Sequence, residues 1–278
     1  MPILQFCGGQ LDLSVRTHIM GILNVTPDSF SDGGRYNAVD KAVERAIQIQ
    51  EEGADILDIG GQSTRPGHTP ISAEEEWRRI GPVLEALRGR VTIPISIDTY
   101  YKEVAVRALE AGAQILNDVS GSMNNGMPQV AARYGAALVM MHGGNGADSE
   151  DSADAVHEVR RYFEQALELA EQEGLPASSV CLDPGIGFGK PRRGDLDLIA
   201  QLPDLMRGLP DVALLVGASR KRVVGMCCGN PPFSERLPGT LAIHTLAQWN
   251  GAHILRVHDV AAAVQAARVT DAVRERHS

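Results

Sequence analysis

Four times along the chain a short phrase recurs: Gly-Ala, one variable residue, then an apolar run ending on a polar residue. It reads GADILDIG from Gly53 to Gly60, GAQILNDV from Gly112 to Val119, GAALVMMH from Gly135 to His142 and GAHILRVH from Gly251 to His258. Each copy follows a stretch of helical periodicity. Glycine readily takes the left-handed conformation that ends a helix, and the apolar run that follows suits a strand buried on both faces. Weaker copies without the Gly-Ala stand at His18–Asn24, Ile93–Thr99, Val180–Gly185 and Val212–Ser219, which brings the number of expected strands to eight.

Helical patterns separate these runs. They cover Asp40–Glu52, a segment opened by Ser72-x-x-Glu75, Lys102–Ala111, Met127–Tyr134, Ala153–Glu173, Asp195–Met206, Glu235–Asn250 and Val260–Arg274. Ser72 and Glu75 have the spacing of a capping box, in which the Ser accepts a backbone N–H and the Glu reaches back. Strands alternating with helices make a parallel sheet. About eight such units in 278 residues make the chain an α/β protein, a single-domain (β/α)8 TIM barrel over residues 1–278. A doubly wound open sheet is the alternative fold. Aromatic residues are only 4% of the chain, so the core must be built from Ala, Val, Ile and Leu. The segment Phe6–Leu13, with Gly8-Gly9 inside it, is expected to form a small N-terminal hairpin closing the barrel bottom.

Composition excludes several roles. The net charge of −9 leaves no broad basic surface for nucleic acid, so an anionic substrate must meet a local cluster of positive charge. No apolar run approaches the roughly 20 residues of a membrane helix, and the first residues do not read as a signal peptide. None of the four cysteines has C-x-x-C spacing, and Cys227-Cys228 is an adjacent pair that rarely bridges. Reduced thiols and a cytoplasmic location are expected, with Cys181 in the core.

The strand ends carry Asn24, Asp58, Asp98, Asn117, Asp118, His142, Asp183, Ser219, Arg256 and His258. Active sites of such barrels lie where the strands end and the βα loops begin. Several of those loops are long and rich in Gly, Ser, Thr and Arg: Asn24–Gly34, Gly60–Gly67, Asp183–Lys190 and Gly217–Arg222. Arg65, Arg220, Lys221, Arg222, Arg256 and His258 form a positive cluster suited to a di- or triphosphate. Asp98, Asn117 and Asp183 instead suit a heterocycle that offers several N–H donors. The expected site is therefore bipolar, with an anion at one end and a nitrogen-rich ring at the other.

Taken in order, NVTPDSFSDGG, GGQSTRPG, ISIDT, ILNDVSG, LDPGIGFGK, LVGASRKR and RVHDV resemble dihydropteroate synthases of the pterin-binding family, from about Leu11 to Val269. The resemblance implies a barrel, usually dimeric, that joins 6-hydroxymethyl-7,8-dihydropterin pyrophosphate to 4-aminobenzoate with Mg2+. It also implies sensitivity to sulfonamides. By motif, Asn24 is implied as the metal ligand. Thr64, Arg65, Arg256 and His258 are implied at the pyrophosphate, and Asp98, Asn117, Asp183 and Lys221 at the pterin, with Met141 beside it. Pro66, Phe188, Lys221 and Arg222 are implied around the aminobenzoate. The residues implied in catalysis are Lys221, Arg65 and Asp98. The reaction is dissociative in that family, so no nucleophilic Ser or Cys is needed, and His142 reads as structural or pocket-lining.

The chain departs from the family pattern at Gln62, at Tyr100-Tyr101-Lys102, at His142–Asn145 and at Arg222, where a Ser is usual. Alternatives are a pterin-binding methyltetrahydrofolate methyltransferase and a catalytically silent pterin-binding paralogue. The first has no use for the Ser219–Lys221 loop and Arg256-Val257-His258. The second would be expected to lose Thr64-Arg65 or Lys221.

Overall fold

The computed structural model describes residues 2–26, 35–62, 69–143, 155–191, 193–209 and 211–276. The chain opens with an antiparallel hairpin, β1 (Ile3–Phe6) and β2 (Gly9–Asp12), in which Phe6 pairs with Gly9. Eight parallel strands follow: β3 (His18–Asn24), β4 (Ile56–Gly60), β5 (Ile95–Asp98), β6 (Ile115–Asp118), β7 (Ala137–Met141), β8 (Val180–Asp183), β9 (Ala213–Val216) and β10 (Ile254–Val257). They close into a barrel, the last strand pairing with the first through Ile254 opposite His18. The helices are α1 (Arg35–Glu51), α2 (Ala73–Leu87), α3 (Lys102–Glu110), α4 (Met127–Tyr134), α5 (Ala155–Gln172), α6 (Gly194–Ala200), α7 (Leu202–Leu205), α8 (Arg222–Cys227), α9 (Leu237–Trp249) and α10 (Val260–Arg274). All eight expected strands are present. In each Gly-Ala repeat the glycine has the positive φ that the helix-to-strand turn requires: 98° at Gly53, 108° at Gly112, 62° at Gly135 and 102° at Gly251.

Alternation along the strands sorts the apolar residues into two cores. Met20, Ile56, Ile115, Ala137, Val139, Cys181, Ala213, Leu215 and Ile254 fill the barrel interior, joined by Leu4 and Leu13 from the hairpin segment. Their outward neighbours Ile19, Leu57, Ile97, Leu116, Leu138, Leu182, Leu214 and Leu255 pack under the helices. The hairpin thus plugs the lower end of the barrel, as expected, although it starts at Ile3 rather than Phe6. Moving up the interior by two residues exchanges apolar for polar on four of the eight strands: Ile56 to Asp58, Ile115 to Asn117, Cys181 to Asp183 and Ile254 to Arg256. A strand period of two sends both members of each pair inward, and the helical shell stays apolar throughout.

Three expectations need correction. Ser72 Oγ does accept the Glu75 N–H at 3.2 Å, but Glu75 does not complete the capping box. Its carboxylate turns forward to Arg78 and Arg79, two guanidiniums in place of one backbone amide. The helix expected over Asp195–Met206 is broken at Gln201 into α6 and α7. Pro203 lacks an N–H, and the chain accommodates it by starting a new first turn there. The short α8 directly after Lys221 was not expected, because six residues give too little periodicity to read.

Candidate active site

At the upper interior of the barrel, Arg256 stands between two carboxylates. Its Nε donates to Asp58 Oδ2 at 2.7 Å and its Nη2 to Asp98 Oδ2 at 2.5 Å. Asn117 Nδ2 also donates to Asp58 Oδ2, at 3.2 Å. Register explains the meeting, since Gly60 lies opposite Asp98 and Asp98 opposite Asn117, while β10 closes the ring against β3. Asp58 is fully buried, and Asp98, Asn117 and Asp183 are nearly so. Burial works against the charge of Arg256, but Asp58 and Asp98 offset it and hold the guanidinium above its ordinary value. Burial raises Asp98 above the usual carboxylate range, with Arg256 opposing, and raises Asp183, with Lys221 opposing.

This geometry revises the bipolar picture. Arg256 does not share a separate positive patch with His258; it is interleaved with the acidic set. A guanidinium in a closed barrel interior requires paired carboxylates, and Asp58 lies on the matching inward parity. Asp58 was noticed only as one polar strand end and given no role. Its position two residues after the interior Ile56 was the signal that could have singled it out. Two acceptors near the centre are left open: Asp58 Oδ1 and Asn117 Oδ1 are buried without a hydrogen-bond partner among the described residues. A ring system rich in N–H donors satisfies such acceptors.

The loop after β9 builds the second half of the site. Arg220 has a φ of 56°, an uncommon value for a residue with a side chain. The turn is held by its own N–H, which donates to Thr240 Oγ1 at 2.9 Å, and by its guanidinium, whose Nε donates to Asp259 at 2.8 Å. The next residue, Lys221, sends its ammonium to the carbonyl of Ile186 at 2.7 Å and lies 4.2 Å from the centre of the Phe188 ring. Burial lowers Lys221 to about 8, with Asp183 opposing. Loop six therefore meets loop seven, with the aromatic face, ammonium and Asp183 carboxylate close together. Met141 ends β7 at the same height, buried.

Arg222 opens α8, is exposed, and donates from Nη2 to the Lys190 carbonyl at 3.2 Å. His258 stands beside Ser219, with 2.9 Å between Nδ1 and Oγ, and packs edge-on to Phe233 at 5.6 Å. Phe233 comes from the segment before α9 and had no part in the sequence reading. His142 packs edge-on to Tyr162, and burial pushes it down to about 4, so it is neutral and suited to lining rather than to acid–base work. Asn24 ends β3, half-buried. Thr64, Arg65 and Pro66, together with most of the first and second loops, lie outside the described residues.

A family model described as pterin binding enzyme matches residues 20–258. The chain is 45% identical over 268 residues to a dihydropteroate synthase of Synechocystis sp., covering 94% of this chain and 92% of that protein. It is also similar to the Xanthomonas albilineans dihydropteroate synthase solved with 4-aminobenzoic acid. There the TM-score is 0.91 at 43% identity, over 98% of each chain. The Yersinia pestis dihydropteroate synthase in a sulfonamide drug complex matches with a TM-score of 0.89 at 39% identity, over 99% of each chain.

Proposed function

This chain belongs to the pterin-binding enzyme family, and from that membership we infer that it is a dihydropteroate synthase, a transferase of folate biosynthesis. It condenses 6-hydroxymethyl-7,8-dihydropterin pyrophosphate with 4-aminobenzoate to give 7,8-dihydropteroate and pyrophosphate. The observation within the chain that carries the pterin reading is the buried acceptor set of Asp58, Asp98, Asn117 and Asp183, two of whose oxygens have no partner among the described residues.

The C–O bond to pyrophosphate breaks first, and its electron pair leaves with the phosphate. The cation left behind is delocalised over the dihydropterin. Asp98 and Asp183 favour that cation, because a fixed negative charge in a buried site acts strongly on a positive charge that develops beside it. The amine lone pair of 4-aminobenzoate then forms the C–N bond, and the nitrogen gives up a proton. Phe188 supplies an apolar face for the benzoate ring, and Lys221 reaches both reactants. Thr64, Arg65, Pro66 and His258 are proposed at the pyrophosphate and loop side. Arg256 is proposed to lie against the pterin, where its pairing with Asp58 and Asp98 leaves a flat guanidinium face.

Mg2+ takes hard oxygen ligands and keeps waters and substrate phosphates around it. The amide oxygen of Asn24 fits as its one protein ligand. When bound, the ion would stabilise charge on the departing pyrophosphate. A homodimer is proposed through α9 and α10, where Leu246, Trp249, Val269 and Val273 are 56%, 45%, 67% and 45% exposed. Sulfonamides are proposed to compete with 4-aminobenzoate. A cytoplasmic location is supported by the free state of all four cysteines. Among the described residues no helix is long and apolar enough to cross a membrane.

The test is pyrophosphate release by the purified protein. Release that requires both the pterin pyrophosphate and 4-aminobenzoate, with a sulfonamide competing against the latter, is the expected result. Release that does not depend on 4-aminobenzoate would reject the reading.

A further inference from the structure

The sixth loop ends on a buried lysine that neither the fold nor the reaction has so far used. Lys190 is 3% exposed. Its ammonium donates to three backbone carbonyls: Gly185 at 2.8 Å, His142 at 3.1 Å and Phe188 at 3.3 Å. Gly185 and Phe188 belong to its own loop, whereas His142 follows β7. The Lys190 carbonyl in turn accepts from Arg222, which opens α8 after β9. One residue thus ties together three successive loops on the active face.

The arrangement suits lysine in particular. Three converging carbonyls want three donors on one compact atom, and the ammonium is the side-chain group that offers them. The loops approach very closely here. A Cβ placed on Gly185, whose φ is 67°, would lie 2.0 Å from the His142 oxygen. Without the ammonium, the His142 and Phe188 carbonyls would lose this donor, while Gly185 would keep only the Phe188 N–H at 3.1 Å. Lys190 also bears on groups that touch the reactants. It holds the carbonyl of Phe188, whose ring covers the Lys221 ammonium, and it anchors the loop whose Ile186 carbonyl accepts from Lys221.

We propose that Lys190 is a positioning residue for the aminobenzoate half of the site. It locks the sixth loop so that Phe188 and Ile186 meet Lys221 at the right height, and it touches neither substrate. The pterin half depends on it less, because Asp58 and Asp98 are carried by β4 and β5, across the barrel from β8; only Asp183 reaches the sixth loop, accepting the Gly185 N–H at 2.7 Å. The proposal rests on the reaction and pocket assigned under Proposed function.

Lys190→Met and Lys190→Gln, made in the full chain, test it by steady-state kinetics with each substrate varied in turn. Methionine keeps the length and removes every donor; glutamine returns two N–H donors without the charge. The expected result for Lys190→Met is a KM for 4-aminobenzoate raised at least about tenfold. The KM for the pterin pyrophosphate should change by less than about threefold, and Lys190→Gln should recover part of the loss. Unchanged kinetics would overturn the proposal. So would parallel rises in both KM values, which mark a general structural role. If neither variant can be purified folded, Lys190 is a determinant of the fold and the proposal also falls. A wild-type protein that releases no pyrophosphate would instead strike the reaction itself, so the two failures are distinguishable.

Discussion

At the lower end of the barrel, Asp55 accepts the Ile19 N–H at 2.8 Å and pairs with Arg16. Asp271 accepts the Thr17 N–H and hydroxyl, each at 3.1 Å, and the Gln248 amide at 2.7 Å. At the upper end, Asp58 and Asp98 share Arg256, Asp183 accepts the Gly185 N–H at 2.7 Å, and Asp58 Oδ1 and Asn117 Oδ1 have no partner among the described residues. The lower carboxylates take backbone N–H groups at the start of a strand and are partly reached by water. The upper ones are buried, and burial holds Asp98 and Asp183 above their ordinary range. The same residue type therefore stitches the chain at one end and is held in an unrelieved electrostatic state at the other, which a ligand completes.

The sharpest way to break this contrast is Lys221→Ala. Removing the group placed at both reactants is expected to lower kcat/KM at least about a hundredfold, roughly 2.7 kcal/mol. The folded state should survive, since the lysine pays a burial penalty where it stands. Near-normal turnover in the folded variant would remove Lys221 from the site. Its counterpart below is Asp55→Ala. Loss of the acceptor for the Ile19 N–H is expected to destabilise the protein by about 2 kcal/mol in denaturant titration, with kcat of the folded protein unchanged. The ion pair with the half-exposed Arg16 should add little to that. A loss of activity without a loss of stability would reverse the assignment of the two ends.

The pH dependence sharpens the comparison next. Asp98 acts when ionised and its pKa is raised, so kcat/KM should climb with pH along a limb displaced above the ordinary carboxylate range. It should fall again near 8, where Lys221 and Lys190, both lowered by burial, give up their protons. Asp98→Asn should abolish the acid limb in whatever activity remains. The sign for stability is the opposite of that for activity. A carboxyl raised in the folded state disfavours ionisation there, so the ligand-free protein loses stability as pH rises through that range. The smallest expected effect is at Arg222, exposed at the pocket mouth. Arg222→Ser should raise KM for 4-aminobenzoate a few-fold, about 1 kcal/mol or less, with sulfonamide inhibition level or stronger. If neither changes, the guanidinium has no part in the aminobenzoate pocket.

The fold was legible because its signals are local and repeated. A glycine with positive φ, then Ala, a variable residue and a short apolar run, states a helix end and a buried strand together, and the chain says so four times outright. Of the site, strand-borne residues were the most legible, since Asp98, Asn117, Asp183 and Arg256 follow interior residues by two. Partners were not legible. Nothing in the local sequence pairs Arg256 with Asp58, because their meeting depends on barrel closure and not on spacing. Lys190 was hidden in the same way. Its motif was visible, but one of the three carbonyls that it gathers, that of His142, comes from a loop 48 residues away in sequence. The capping box failed for a more local reason, the competition of Arg78 and Arg79 for Glu75.

Closure of the ring by β10 against β3 has a consequence for biosynthesis. On the ribosome the first barrel strand is made before the other seven and its second neighbour after them. Until residues 254–257 emerge, the nascent chain can offer at best an open sheet with two unpaired edges, a form prone to sticking to other chains. Arg256 lies on that closing strand, so the carboxylates of β4 and β5 wait through most of translation for their cation. The paired state of the site therefore coincides with the completion of the ring.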